Sequence, residues 1–312
     1  MLEISKSLWR LLQYPFRLLY NLWRVRILVK RERIDCVIVN DFYNLLGAGL
    51  VALGSNVKLI TYVRFLPAAV PKPLRNWWIN MAQRYSETIV AVSDAVKNQL
   101  PSHPKVIKLY DAFNVQEQLP YPYPILPQKK VLLYLANYTR GKGQELALAA
   151  FEQIHPLFPE VQLKFVGGDL GLEKNRAFRS ELETTCRNKQ LDAVVQFCDF
   201  SDSIEELIKE SYAVLNFSVS ESFSMTCLEA SYFGTPVIAT RCGGPEEIIV
   251  DDETGLLVPL GDIPAMVSAM KKLLSDEGYR NLLSSNARKY VREKFSQQQY
   301  IENYSKLLTA TR

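Results

Sequence analysis

Histidines, paired cysteines and long hydrophobic runs are scarce in this sequence. The 312 residues include two histidines and five cysteines, and no two cysteines have the Cys-x-x-Cys spacing of a zinc or redox site. Their scatter and odd number fit a reducing cytosol and exclude a disulfide framework. No run of about 18 apolar residues is present, so no membrane-spanning segment is predicted. No signal-peptide core with a cleavage site is visible either.

Strong charge imbalance is also lacking. The 37 basic and 33 acidic residues give a net charge of +4, which is too mild to indicate a nucleic-acid partner. No Asp-x-Asp pair is present, so we expect no metal and no cofactor. The hydrophobic content of 48% and charged content of 22% are those of a globular protein, and the length favours two domains.

Positive charge is concentrated in residues 1–33, which carry eight basic and two acidic side chains. Pro15 is expected to start or kink a helix there. Apolar residues spaced three or four apart predict one helical face, namely Trp9, Leu12, Phe16, Leu19, Trp23 and Ile27. A line of arginines runs beside it: Arg10, Arg17, Arg24 and Arg31. Either this segment docks on an anionic membrane surface, or its aromatic line packs on the sheet of the first domain. The two interpretations are compatible if the aromatic line is buried and only the arginine edge faces lipid.

Strands and helices alternate along the first hundred residues, which predicts a parallel sheet covered by helices. The strands are predicted at 34–39, 57–63, 88–92 and 105–110, and the helices at 43–53, 74–84 and 93–100. Four prolines fall between Gln118 and Pro127, so residues 118–128 are predicted to be a linker. The domains are then 1–117 and 129–295, followed by a final segment, 296–312.

The second half is organised around residues 212–259. A buried strand at 212–219 leads to Glu221, and a helix that Ser224 starts and Gly234 ends leads to a second strand at 236–240. Parallel sheets bind ligands at the carboxyl ends of their strands, and a helix N-terminus suits phosphate. Glu229, two turns along the helix from Glu221, can reach another part of the same ligand. Alternatively, both glutamates are ordinary acids favoured by the helix dipole.

This stretch resembles the donor-sugar motif of glycosyltransferase family four, which comprises retaining nucleotide-sugar enzymes. The matching residues are Glu221, Phe223, Glu229, Ala230, Gly234, 236–240, Gly243, Gly244, Glu247 and 254–258. Ser222 and Ser224 stand where the family usually has glycines. The resemblance implies an α/β fold of GT-B architecture, with two Rossmann-like doubly wound parallel-sheet domains. It also implies that the last helix, within 296–312, crosses back to the first domain.

A second part of the resemblance lies after the strand predicted at 130–136. The family motif G-R-L-x-x-x-K-G is matched by Lys142 and Gly143, whereas Asn137 replaces the arginine. Arg140 can supply the missing charge. The resemblance implies that these side chains bind the donor diphosphate, although a lysine in such a loop is often only solvated.

The resemblance also implies roles for the remaining residues. Glu221 would be catalytic, orienting the sugar hydroxyls, and Glu229 would accept hydrogen bonds from the ribose. Other donor contacts would come from Ser222, Phe223, Ser224, Met225, Thr226, Gly243 and Gly244. Residues 198–202 would lie near the base. Arg64 replaces a histidine on the acceptor side, where it either holds an anion or faces solvent.

The glycine-rich loop that begins the family's first domain is not visible before Ile34. We therefore expect a first domain that is incomplete or reduced. The leading interpretation is a cytoplasmic enzyme, peripheral at the inner face of the membrane. It would move a hexose from a UDP- or GDP-sugar to a glycan or lipid-linked acceptor, with retention and without metal. The alternative is a non-catalytic nucleotide-sugar-binding protein or partner subunit.

Overall fold

A computed structural model of the chain describes residues 8–40, 45–111, 127 and 129–310. The chain divides into two compact units, one of Met1–Asp111 with Tyr300–Arg312 and one of Ala112–Gln299. The predicted linker at 118–128 lies outside the described residues, except for Pro127. Each unit has a parallel sheet with helices, which confirms the predicted α/β class.

The sheet of the first unit has four described strands in the sequential order β1-β2-β3-β4, all parallel. They are β1 (Cys36–Asn40), β2 (Lys58–Val63), β3 (Thr88–Ala91) and β4 (Val106–Lys108). The helices that precede or connect them are α1 (Leu8–Arg31), α2 (Leu45–Ala52), α3 (Lys72–Tyr85) and α4 (Asp94–Lys97), with a 3-10 turn at Pro67–Ala69. Ser93 caps α4 as its sequence predicts, because its Oγ accepts the Val96 N–H at 3.0 Å.

Helix α1 buries a different face from the one that the aromatic spacing suggested. Phe16 and Trp23 are 75% and 61% exposed, whereas Leu22 is 7% exposed. The face that packs into the small core with α2 is the stripe Leu18, Leu22, Val25 and Val29. The interpretation in which the aromatic line packs on the sheet is therefore wrong. Pro15 lies inside α1 and does not start it.

The sheet of the second unit has six described strands in the order β10-β9-β8-β5-β6-β7. They are β5 (Val131–Leu135), β6 (Gln162–Val166), β7 (Val195–Cys198), β8 (Ala213–Asn216), β9 (Val237–Thr240) and β10 (Leu256–Val258). Its helices are α5 (Gln144–Ile154), α6 (Glu173–Asn188), α7 (Ile204–Lys209), α8 (Met225–Phe233), α9 (Pro245–Ile248), α10 (Ile263–Ser275) and α11 (Glu277–Lys294). The last helix, α12 (Gln297–Ala310), joins the first unit from Tyr300 onward.

The strand order of the second unit reverses between β5 and β8, which lie side by side. From β5 the chain runs outward through β6 and β7, and it returns to β8 before running outward on the other side. Loops leave the carboxyl ends of such neighbouring strands in opposite directions and open a crevice between them. The loops that follow β5 and β8 carry Lys142 and Glu221, so the fold places both at this switch point.

Helix α6 was not predicted, although it has 16 residues. Its sequence is strongly charged, and its buried residues are Asn175, Phe178, Leu182 and Cys186. Two of these four are polar or small, so the apolar periodicity is weak. Tertiary packing on the core of the second unit, which includes Phe178 and Leu182, stabilises the helix instead.

No helix among the described residues is both long enough and apolar enough to cross a membrane.

Candidate functional site

Lys142 and Glu221 meet at the switch point. The Nζ atom of Lys142 donates to Oε1 of Glu221 at 2.8 Å, and the two side chains are 37% and 15% exposed. Such a partly desolvated ion pair is stronger than one on the open surface, because less water screens it. The pair is a preformed site with one cation and one carboxylate at the carboxyl ends of two parallel strands.

The backbone of Glu221 is held by residues 242–244, which include the two glycines of the predicted loop. Its N–H donates to the Cys242 carbonyl at 3.2 Å, and its carbonyl accepts the Gly244 N–H at 2.8 Å. A Cβ atom on Gly244 would lie 2.4 Å from Cα of Phe223, so this close approach requires glycine. Phe223 is itself fixed by burial. The Gly243–Gly244 loop therefore sets the position of the carboxylate through main-chain contacts.

Tyr134, on β5, connects the lysine loop to the loop of Glu221. Its buried hydroxyl accepts the Phe217 N–H at 2.8 Å and donates to the carbonyl of Lys142. Gly143 has φ +80°, and a Cβ atom there would lie 2.1 Å from the Phe217 carbonyl oxygen. Tyr134 was not among the site residues predicted from the sequence. The available signal was a single polar hydroxyl within an otherwise aliphatic strand, Val131–Leu135.

Helix α8 directs its N-terminus to the same crevice. It begins at Met225, and the first N–H groups of any helix lack an intrahelical acceptor. Ser224 precedes it with φ +64°, in the left-handed region. Its Oγ accepts from Asn216 Nδ2 at 2.9 Å and makes no capping hydrogen bond, so the position of the predicted cap is right and its side-chain role is wrong. The left-handed φ explains why glycine suits this position.

Glu229 lies in a small cavity beside these loops. The cavity has a volume of about 190 Å³ and lies at the ends of β5 and β6, with Thr226, Phe200 and Ser201 also lining it. Burial raises the pKa of the Glu229 carboxyl above its ordinary value of 4.5. Within the described part of the chain, the structure shows no hydrogen bond or ion pair to this carboxylate. It is therefore poised to accept hydrogen bonds from a ligand.

Two buried thiols lie close to Glu221 without serving as nucleophiles. Burial raises the pKa of Cys227 to about 12 and that of Cys242 to about 11, and the negative charge of Glu221 contributes in the same direction. Both remain protonated at neutral pH, and a thiol reacts as its thiolate. Neither thiol is therefore a nucleophile at neutral pH.

Comparison with known proteins assigns the family. Residues 115–290 match the model described as glycosyl transferases group 1, and residues 3–107 match the one described as glycosyltransferase family 4. The chain belongs to the glycosyl transferases group 1 family. This membership confirms the resemblance seen in the motifs and makes the protein a glycosyltransferase by class.

Two relatives of the glycosyltransferase show how far the likeness extends. It is 26% identical to the N-acetyl-alpha-D-glucosaminyl L-malate synthase of Bacillus anthracis, over 97% of this chain and 81% of that protein. It is 29% identical to the alpha-1,3/1,6-mannosyltransferase ALG2 of Dictyostelium discoideum, over 59% of this chain and 46% of that protein.

Solved structures show the fold. The crystal structure of Anabaena HepE in complex with UDP superposes with a TM-score of 0.83 at 19% identity, covering 93% of this chain and 82% of that one. Sucrose-phosphate synthase from Thermosynechococcus elongatus gives a TM-score of 0.79 at 21% identity, covering 94% and 78%. The glycosyltransferase therefore has the predicted GT-B fold.

Three candidate residues have other partners in this structure. Oδ1 of Asn137 accepts the Gly168 N–H at 3.1 Å, and the guanidinium of Arg140 pairs with Glu181 on α6. In the first unit, Arg64 pairs with Asp111 at 2.7 Å. The structure thus brings Lys142 and Glu221 together, but it does not bring Arg140 to this pair.

The remaining donor candidates fall on the loop and first turn around α8. Ser222 and Met225 are half-buried. The hydroxyl of Thr226 points to the Leu135 carbonyl at 3.5 Å, which joins the first turn of α8 to the end of β5.

Proposed function

We propose that this glycosyltransferase moves a hexose from a UDP- or GDP-sugar to a glycan or lipid-linked acceptor, with retention and without a metal ion. One observation carries the proposal: the Lys142–Glu221 pair lies at the switch point, where helix α8 also begins. This arrangement offers positive charge for a diphosphate and a carboxylate for sugar hydroxyls within one crevice.

The donor diphosphate would replace Glu221 as the partner of Lys142. Lys142 has a mobile ammonium group with three donors, so it can exchange the carboxylate of Glu221 for phosphate oxygens. The exchange would release Glu221 to accept hydrogen bonds from the sugar. Lys142 and the first N–H groups of α8 would then stabilise the negative charge that grows on the leaving diphosphate. These groups would supply the charge stabilisation that a metal ion provides in other transferases.

The transfer itself would exchange one bond for another at the anomeric carbon. The bond between this carbon and the phosphate oxygen breaks, and its electron pair stays on the diphosphate. The acceptor hydroxyl attacks from the same face, and its proton passes to the departing phosphate oxygen. Because the leaving group accepts the proton, no histidine base is required.

The cavity at Glu229 supports a site for the nucleoside. An unpartnered, partly buried carboxylate is costly unless a ligand donates hydrogen bonds to it, and ribose hydroxyls are suitable donors. The loop residues Phe200 and Ser201 share this cavity, so a base could lie there.

Donor trials with the purified chain test the proposal. UDP is the first nucleotide to try, because the structurally similar HepE is seen in complex with UDP and with UDP-glucose. Calorimetry with UDP and GDP measures binding, and release of nucleotide from each sugar donor measures transfer. Activity that persists in EDTA supports the metal-free step, and NMR of the product linkage reports the configuration. A chain that binds neither nucleotide contradicts the proposal.

A non-catalytic nucleotide-sugar-binding protein or partner subunit is the second candidate. It is favoured by Asn137, which replaces an arginine of the family motif and uses its Oδ1 for a backbone hydrogen bond. Nucleotide binding without hydrolysis or transfer for any donor and acceptor pair would favour this second function.

The proposed acceptor also suggests where in the cell the protein works. A lipid-linked acceptor would require a cytoplasmic protein that works peripherally at the inner face of the membrane. The outer surface of α1 supports this location.

A further inference from the structure

Helix α1 carries two apolar stripes on opposite sides. The buried stripe is Leu18, Leu22, Val25 and Val29, and the exposed stripe is Phe16, Tyr20, Trp23 and Ile27. Both stripes have the same spacing, and each member of the buried stripe lies two positions after a member of the exposed stripe. This offset corresponds to a rotation of about 200° around the helix axis. Packing on α2 therefore satisfies one stripe and leaves the other, which also includes the exposed Leu19, facing outward. Contiguous exposed apolar surface of this kind marks an interaction site.

Basic residues border the exposed stripe on both sides. Arg17 and Arg24 follow Phe16 and Trp23 by one position, about 100° round the helix, and Arg31 continues this border one turn after Ile27. Arg26 and Lys30 lie on the other border. The whole helix, Leu8–Arg31, contains no acidic residue. An open groove of about 690 Å³ combines the two chemistries, because Trp23 and Ile27 line it together with Arg24 and Arg31.

We infer that the outer face of α1 docks the protein, lying parallel to the surface, on an anionic lipid bilayer. Aromatic and aliphatic side chains would enter the boundary between headgroups and acyl chains, while the flanking cations would contact lipid phosphates. At about 36 Å, the helix is long enough to contact several lipids at once. This inference deepens the proposed function, since it names the surface on which a lipid-linked acceptor would be met.

The charge pattern favours a bilayer over a second copy of the chain. A symmetric contact through this face would place two sets of arginines beside each other. No acidic residue lies on the helix, and Glu32, directly after it, pairs with Arg31. A surface of lipid phosphates supplies the missing negative charge along both borders. Since the buried stripe lies on the opposite side of the helix, Leu22 and Val29 can remain in the core while the exposed stripe contacts lipid. Docking therefore requires no unfolding.

Vesicle co-sedimentation of the full chain without nucleotide tests the inference. Vesicles of phosphatidylcholine alone are compared with vesicles in which about one-third is phosphatidylglycerol, in low and high salt. The apolar variant is Phe16→Ser with Trp23→Ser, and the charge variant is Arg17→Glu with Arg24→Glu. Arg187→Glu with Lys271→Glu is the matched control, because it changes the net charge equally at exposed sites of the second unit.

We expect binding that rises with anionic lipid and falls with salt. Both α1 variants should weaken it by at least about tenfold, while the control stays within about twofold. Binding that ignores anionic lipid, or that survives either variant, overturns the inference. So does a wild-type dimer, free of vesicles, that the Phe16 and Trp23 changes dissociate.

Calorimetry with UDP and GDP on the same variants separates this inference from the donor proposal. Lost vesicle binding with intact nucleotide binding in the α1 variants supports the inference. A wild type that binds nucleotide but no vesicle overturns the inference alone, and one that binds vesicles but no nucleotide overturns the donor proposal alone.

Discussion

Nζ of Lys142 and Oε1 of Glu221 are 2.8 Å apart, although the two residues are 79 positions apart in the sequence. Each group neutralises the charge of the other. In the proposed reaction, a nucleotide sugar would separate this pair, with phosphate oxygens binding Lys142 and sugar hydroxyls binding Glu221. The cost of separating the pair is offset only by a ligand that satisfies both groups, which favours nucleotide sugar over free nucleoside.

Lys142→Ala should weaken UDP binding by about 1.5–3 kcal/mol, because a charge-assisted hydrogen bond to phosphate is lost. Binding of uridine should hardly change. Calorimetry with both ligands measures the difference, or GDP and guanosine if the wild type prefers guanine. Arg140→Ala is the comparison, since Arg140 pairs with Glu181. Equal losses for nucleotide and nucleoside in Lys142→Ala would mean that the lysine acts only structurally.

Glu221→Ala should lower turnover more than nucleotide affinity, because Glu221 is proposed to orient the sugar and not the diphosphate. Removing the carboxylate also frees Lys142, so UDP affinity should stay the same or rise. Steady-state kinetics and UDP calorimetry on one preparation check both halves. Unchanged turnover would remove the catalytic role.

Glu229 should make nucleotide binding sensitive to acid. Burial raises its pKa above 4.5, and the carboxylate is a stronger acceptor for ribose hydroxyls than the protonated carboxyl group. Affinity should therefore fall as pH drops through this raised pKa, at a higher pH than an exposed glutamate would require. Glu229→Gln should lose this pH dependence, and Glu229→Ala should bind about 1–3 kcal/mol more weakly. Calorimetry between pH 5 and 8 measures both, with Glu173→Gln, an exposed residue, as control.

The same carboxyl should affect the stability of the ligand-free protein in the opposite sense. A raised pKa in the folded state stabilises below the unfolded pKa, and this contribution is lost as pH rises through the folded pKa. At neutral pH the buried charge is then a net cost, so Glu229→Gln should raise the melting temperature. The gain should vanish near and below pH 4.5. A variant that is less stable than wild type at pH 7 would contradict the cost of burial.

Tyr134→Phe should loosen the Lys142–Glu221 pair. The change leaves the Phe217 N–H and the Lys142 carbonyl without their buried partner, at a cost of about 1–3 kcal/mol of folding stability. Tyr212→Phe is the matched control, because its buried hydroxyl donates to the Leu273 carbonyl at 3.3 Å, on α10 and outside the loops that carry Lys142 and Glu221. Both variants should lose stability, measured by urea unfolding, and only Tyr134→Phe should also lower turnover. Equal kinetic effects would contradict a positioning role.

Gly244→Ala should damage the site by steric contact alone. Its φ is −58°, which alanine tolerates, yet the new Cβ atom would meet the backbone of Phe223 at 2.4 Å. We expect a loss of about 2 kcal/mol or more, together with weaker UDP binding. Gly261→Ala separates the two effects: Gly261 has φ +73° and nothing within 4 Å of the added atom, so only about 1 kcal/mol should be lost there. Normal UDP binding by Gly244→Ala would remove the positioning role of the loop.

The sequence by itself determined the elements that its local patterns describe strongly. Helix α8 (Met225–Phe233) lies between Ser224 and Gly234 as predicted, because Gly234 takes the left-handed conformation, with φ +79°, that ends the helix. The motif around Glu221 was sufficient to place a carboxylate after a buried strand. Parallel strands of an alternating fold carry their ligand-binding loops at one edge, so Lys142 and Glu221 could be expected near each other.

Tertiary structure decided which groups contact each other. Tyr134 bonds Phe217 and Lys142 through contacts that no sequence period encodes, and Arg140 pairs with Glu181 on a helix that the sequence did not reveal. Helix α1 is the clearest case. Its sequence supplies two apolar stripes with the same spacing, and local periodicity cannot choose between them. Leu50 of α2 and Val57 decide which stripe is buried, because they pack with Leu22 and Val29. The aromatic stripe, Phe16 to Ile27, is left exposed.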